Sequence, residues 1–94
     1  MNKYESIIII NDSLENEQKN TFIEKIEKFI KENGKLDKTE IIGTRKLAYE
    51  IKKSIFGYYV VYDFYTKAST IAELERIYKI SDEVLKFINM RMEE

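Results

Sequence analysis

Arg45 and Lys46 stand directly ahead of Leu47-Ala48-Tyr49-Glu50-Ile51, and Lys52 and Lys53 follow at once. Such cations neutralise phosphate, and an aromatic ring set among them stacks on a base or buries against a protein. Leu47, Tyr49 and Ile51 alternate with Lys46, Ala48, Glu50 and Lys52, which is the period of a strand. Gly43, just upstream, marks a bulge or a close backbone approach within that strand. The chemistry on offer is binding rather than bond-making. The carboxylate pairs Asp37/Glu40, Glu73/Glu75 and Asp82/Glu83 fall where solvated helices and turns place charges anyway. Ser6, Ser13, Ser54, Ser69 and Ser81 have no histidine to activate them, because the chain has none. It has no cysteine either, which excludes a disulfide scaffold, a thiolate metal site and a cysteine nucleophile. Neither a phosphate-cradling glycine loop nor a metal-ligand spacing is present. A non-enzyme without cofactor or metal is expected.

Composition agrees with a binding role. The 94 residues suit one domain, 1–94, with a globular make-up of 44% hydrophobic and 35% charged residues. The net charge of −1 hides an uneven layout. Residues 35–53 carry six basic side chains against three acidic, whereas the flanking segments each carry five against seven. A protein so arranged meets a polyanion on one side only. The longest apolar run, Ile7 to Ile10, is far short of the roughly 20 residues that span a bilayer. No charged-then-apolar leader opens the chain, and a reducing cytoplasm is the expected compartment.

Six elements position these residues. Tyr4–Asn11 is β-branched and too short for a helix. Asp12 or Ser13 then offers an N-cap, with Glu15 three positions after Asp12 as a capping-box partner. Phe22, Ile23, Ile26, Phe29 and Ile30 form a helical stripe, Glu24–Lys28 and Glu27–Lys31 are (i, i+4) pairs on its wet side, and Gly34 is placed for a left-handed C-cap. A long strand spans Leu36–Lys52, Lys52–Gly57 is a short connection, and Tyr58–Tyr65 is a third strand that closes a hairpin. Thr70 opens a second helix with Glu73 as its box partner and Ile71, Leu74, Ile77 and Tyr78 as its apolar stripe; Val84–Met92 is the last strand.

Strand, helix, strand, strand, helix, strand predicts an α+β, ferredoxin-like split βαβ sandwich: a four-stranded antiparallel sheet with both helices on one face. The other face is uncovered, and there function is to be sought. Ile8 and Ile10 face the helices and Ile7 and Ile9 face away; Tyr58, Val60, Tyr62 and Phe64 form one side of the third strand, Tyr59, Val61, Asp63 and Tyr65 the other. An antiparallel sheet with one wet face alternates with polar residues, and these strands do not. The far face therefore serves a partner, or is covered by the chain's own ends or by self-association.

The stretch Gly43-Thr44-Arg45-Lys46-Leu47-Ala48-Tyr49-Glu50-Ile51-Lys52 resembles the signature of bacterial small-subunit ribosomal protein S6: a glycine, a basic residue, Leu-Ala-Tyr-x-Ile and a further basic residue. The resemblance runs from Tyr4-Glu5 through Gly57-Tyr58 to the last strand, nearly the whole chain. It departs at Glu50, where relatives often carry proline, and at Leu85 and Phe87, where a more basic face would be expected. It implies the same fold and a non-catalytic place in the small ribosomal subunit of the cytoplasm. It further implies binding to the central domain of 16S ribosomal RNA as a heterodimer with ribosomal protein S18, next to S15, by a chain that is monomeric in isolation. Carried over by position, Leu47, Tyr49, Ile51, Phe56 and Tyr59 would meet S18. Arg45, Lys46, Lys52 and Lys53 would line the RNA-facing margin, with Lys3, Lys86 and Arg91 as a second basic group. The competing reading is a regulatory or small-ligand module that self-associates through its open sheet, and this fold hosts many functions. An RNA-recognition motif would need a basic-Gly-aromatic core that Tyr58–Tyr65 lacks.

Overall fold

The structure is a computed structural model and describes residues 1–93. Its elements run β1 (Asn2–Asn11), α1 (Asn16–Asn33), β2 (Gly34–Ile51), β3 (Ser54–Thr66), α2 (Ala68–Ile80) and β4 (Val84–Met92). The sheet order is β2-β3-β1-β4, and every neighbouring pair is antiparallel. Each helix therefore joins two parallel strands separated by one other, and the ferredoxin-like arrangement stands.

The core lies between the helices and one face of the sheet. Ile8 and Ile10 of β1 and Val60, Tyr62 and Phe64 of β3 meet Ile26 and Ile30 of α1 and Leu74 and Tyr78 of α2, all fully buried. Three buried side-chain hydroxyls are satisfied: Tyr62 Oη donates to the Ile23 carbonyl at 3.2 Å, and Ser6 Oγ and the Tyr78 hydroxyl share a 2.8 Å bond. Phe29, Ile71 and Ile77 pack against the edge of the core rather than within it.

Several local expectations are corrected. The first strand begins at Asn2, since its pairing runs on to Asn2 opposite Thr66 of β3 and to Lys3 opposite Met92 of β4. Glu15, not Asp12 or Ser13, caps α1, with Gln18 Oε1 accepting from the Glu15 backbone N–H at 3.2 Å. Asp12 is occupied elsewhere, and Ser13 bonds to Asn11 Oδ1 through both its N–H and its hydroxyl. Gly34 is extended, not left-handed (φ 177°), and already belongs to β2. A Cβ there would collide with the Tyr65 carbonyl oxygen, so the glycine permits a close strand approach. The helix pairs are absent among the described ion pairs, which are Lys19–Asp12 and Lys38–Glu40. Glu27 instead accepts from Thr39 Oγ1 at 2.7 Å, tying α1 to β2. Helix α2 starts at Ala68 after an Lys67 cap, which leaves Thr70 buried in the first turn.

The largest difference lies in the hairpin. The connection between β2 and β3 is only Lys52-Lys53, and Gly57 sits inside β3. At about 3.3 Å per residue, an 18-residue strand would run to roughly 60 Å, yet the longest extent of the molecule is 37 Å. β2 must bend. It does so at register shifts between Leu36 and Lys38, between Ile41 and Gly43, and between Lys46 and Ile51. Gly43 takes φ +94° at the second of these, a left-handed value open to glycine at little cost.

Candidate binding surface

The bend carries the end of the hairpin over the face that the helices leave bare. Gly57 makes this possible: a Cβ there would collide with Ile9 Cγ2 and come within 3.0 Å of Leu47 Cδ2. Leu47 therefore lies over Gly57 and joins Ile9 and Leu85 in a second, smaller core flanked by Ile51 and Tyr59. The hairpin then reaches the opposite edge of the sheet. Lys52 Nζ donates to the Val84 carbonyl at 3.4 Å, and Lys86 Nζ donates to Tyr49 Oη at 3.0 Å while lying 5.5 Å above its ring. Lys86 is held above its ordinary pKa, first by that hydrogen bond and then by the charges of Tyr49 and Tyr59. The open face is thus partly closed by the chain's own β2–β3 hairpin.

The residues singled out from sequence divide accordingly. Leu47 is buried in the second core, Ile51 and Tyr59 are half-buried beside it, and Tyr49 and Phe56 are exposed. Arg45, Lys46, Lys52 and Lys53 are exposed along the hairpin, with Arg45 Nη1 donating to the Thr44 carbonyl at 2.8 Å. Lys86 joins this group through Tyr49. It does not join Lys3 and Arg91: Lys86 stands opposite Ile9 and Lys3 opposite Met92, a separation of roughly 20 Å along the strands. Lys3 lies 5.8 Å from the Tyr65 ring centroid on the open side. Arg91 pairs with Tyr4, whose ring is in the main core, and donates to Asn2 Oδ1 at 3.1 Å. The second basic group is therefore split between the two ends of the sheet.

Sequence reasoning passed over the exposed Ile55 and Ile88, at 54% and 47%. Ile88 stands opposite Ile7 in the β1–β4 register, so strand alternation in β4 could have placed it on the open face. Together with Ile7, Ile9, Tyr59, Lys86 and Phe87 it lines a groove of about 290 Å³. One end of the molecule thus combines exposed apolar and aromatic side chains with five cations, which suits a surface that touches both protein and phosphate.

The ribosomal protein S6 profile matches residues 3–91, which takes in all four strands but for the first residue of β1 and the last of β4. The chain belongs to the ribosomal protein S6 family. It is 43% identical over its full length to small ribosomal subunit protein bS6 of Desulfatibacillum aliphaticivorans, though it spans only about half (51%) of that relative. It is 39% identical to the bS6 of Clostridium acetobutylicum, with both chains covered completely. The crystal structure of 30S ribosomal protein S6 from Thermotoga maritima superposes with a TM-score of 0.92 at 36% identity, covering 97% of this chain and 87% of that one. S6 proteins are structural constituents of the small ribosomal subunit in the cytoplasm, not enzymes. No helix among the described residues is long and apolar enough to cross a membrane.

Proposed function

We propose that this chain binds the central domain of 16S ribosomal RNA as one half of a heterodimer with S18, close to S15. The observation that carries the reading is the hairpin end of the sheet, where exposed Tyr49 and Phe56 lie among Arg45, Lys46, Lys52, Lys53 and Lys86. Leu47, Ile51 and Tyr59 shape that surface from beneath, and Tyr49 and Phe56 make the contact with S18. The five cations meet phosphate at its margin, and Lys3 and Arg91 reach RNA separately at the far end. A net charge of −1 gives the isolated chain little attraction for RNA, so a basic partner supplies the rest. The self-associating ligand module is disfavoured because two of its three glycines, Gly34 and Gly57, are committed to close packing within the chain.

Purified chain and S18 tested together, then with central-domain RNA, decide the matter. The expected result is a heterodimer that binds the RNA where neither protein does so tightly alone. Tyr49→Ala lowers S18 affinity by at least about tenfold, as loss of an aromatic anchor does, without unfolding the chain. Tight, salt-sensitive RNA binding by the chain alone would overturn the proposal, as would homodimerisation with no response to S18.

A further inference from the structure

Away from the hairpin, the open face continues as an apolar lane that ends on a pair of like charges. Ile7 stands opposite Val61 on one side and Ile88 on the other, and next to it Glu5 stands directly opposite Asp63. Glu40, paired with Val61, brings a third carboxylate from β2, which Lys38 approaches at 3.8 Å. Like charges facing each other across antiparallel strands are destabilising. Glu5 is accordingly held above its ordinary pKa, first by desolvation, then by hydrogen bonding to Asp63 and by the charges of Asp63 and Glu40, with Lys3 pulling the other way. The pair belongs to neither hydrophobic cluster: it lies on the face opposite the main core and is not among the residues of the second.

We propose that this lane docks a segment of the partner protein that sets one apolar side chain into the groove of Ile7, Ile9 and Ile88 and an arginine or lysine against Glu5 and Asp63. The inference rests on the heterodimer reading and extends that interface from the hairpin to the middle of the sheet. Charge complementarity selects the occupant. An RNA phosphate would meet three carboxylates there, only partly offset by Lys38, which stands opposite Asp63 and 3.8 Å from Glu40, and a second copy packed face to face would add the same three again. A cationic side chain relieves the Glu5–Asp63 repulsion on binding, and the apolar lane beside it requires protein rather than a free cation.

The test is the double variant Glu5→Gln/Asp63→Asn, alongside Tyr49→Ala and Ile88→Glu. Melting should show the double variant as stable as the parent or more so, since a repulsion has been removed. Its affinity for S18 should fall at least about tenfold, the scale for truncating one side of a desolvated charge contact. Its RNA affinity in the absence of S18 should not change. Ile88→Glu, at a half-exposed position, should weaken S18 binding too. Undiminished S18 binding by the double variant and by Ile88→Glu, with Tyr49→Ala still weakened, overturns this inference and leaves the heterodimer reading standing. A double variant that binds RNA more tightly but S18 equally well also overturns it. Failure of the unaltered chain to bind S18 overturns both.

Discussion

Asp12 shows how a single side chain joins three segments. Its carboxylate accepts from Thr44 Oγ1 at 2.7 Å on β2 and from Lys19 Nζ at 3.0 Å on α1, and the same ammonium lies 4.7 Å from the Tyr58 ring centroid. Lys19 is almost wholly buried, at 6% exposure, so removing its counter-ion strands a charge. Asp12→Ala is expected to cost about 3 kcal/mol, read as a shift of the urea midpoint at unchanged m-value; a loss near zero would show that water solvates Lys19. The Asp12 pKa is lowered from 3.8, first by the Thr44 hydrogen bond and then by Lys19, against desolvation. A lowered carboxyl stabilises the fold in full above its unfolded value and loses that contribution as pH falls through the native one. Acid unfolding of the parent should therefore steepen below about pH 4, and Asp12→Asn should flatten that limb. Asp12 is visible in sequence as a polar residue after a strand, which suggests a cap. Its partners lie 7 and 32 residues away, and no local pattern announces them.

The hairpin is the element in which fold and binding compete. Lys52 and Lys53 have φ of +48° and +66°, the two left-handed positions of a two-residue turn that favours Asn-Gly. A lysine in that conformation costs roughly 1 kcal/mol or more. Lys53→Gly should raise stability by about 1 kcal/mol and lower the RNA affinity of the heterodimer, measured by urea unfolding and by titration. A stabilised variant with undiminished RNA binding would show that Lys53 does not touch phosphate. Gly57→Ala acts in the opposite direction. Its methyl would collide with Ile9 and crowd Leu47, and an overpacked site of this kind costs about 2 kcal/mol. The Tyr49–Lys86 contact should loosen with it, seen as faster amide exchange along residues 46–51. The strand alternation of Leu47, Tyr49 and Ile51 and the bulge at Gly43 were legible because both are properties of neighbouring residues. The true turn was not, since Lys-Lys carries none of the usual turn chemistry.

Over the whole molecule, charge is arranged by position rather than by sum. Cations gather at the hairpin end, while Glu5, Asp63 and Glu40 occupy the middle of the open face. For the heterodimer on RNA, replacing Lys52 and Lys53 by Gln should reduce the slope of log affinity against log salt by roughly 1–2; an unchanged slope would remove them from the phosphate contacts. Element order, the helix-facing stripes and the two-sided apolar character of β1 and β3 could all be read along the chain. Periodicity is a local consequence of backbone geometry, so a short window reports it. The curl of the hairpin, the transfer of Lys86 to Tyr49, the separation of Lys3 from Lys86 and the meeting of Glu5 with Asp63 could not be so read. Each depends on strand register between residues distant in sequence. Register is settled by bulges, by the space a missing Cβ leaves and by the packing of the whole sheet at once.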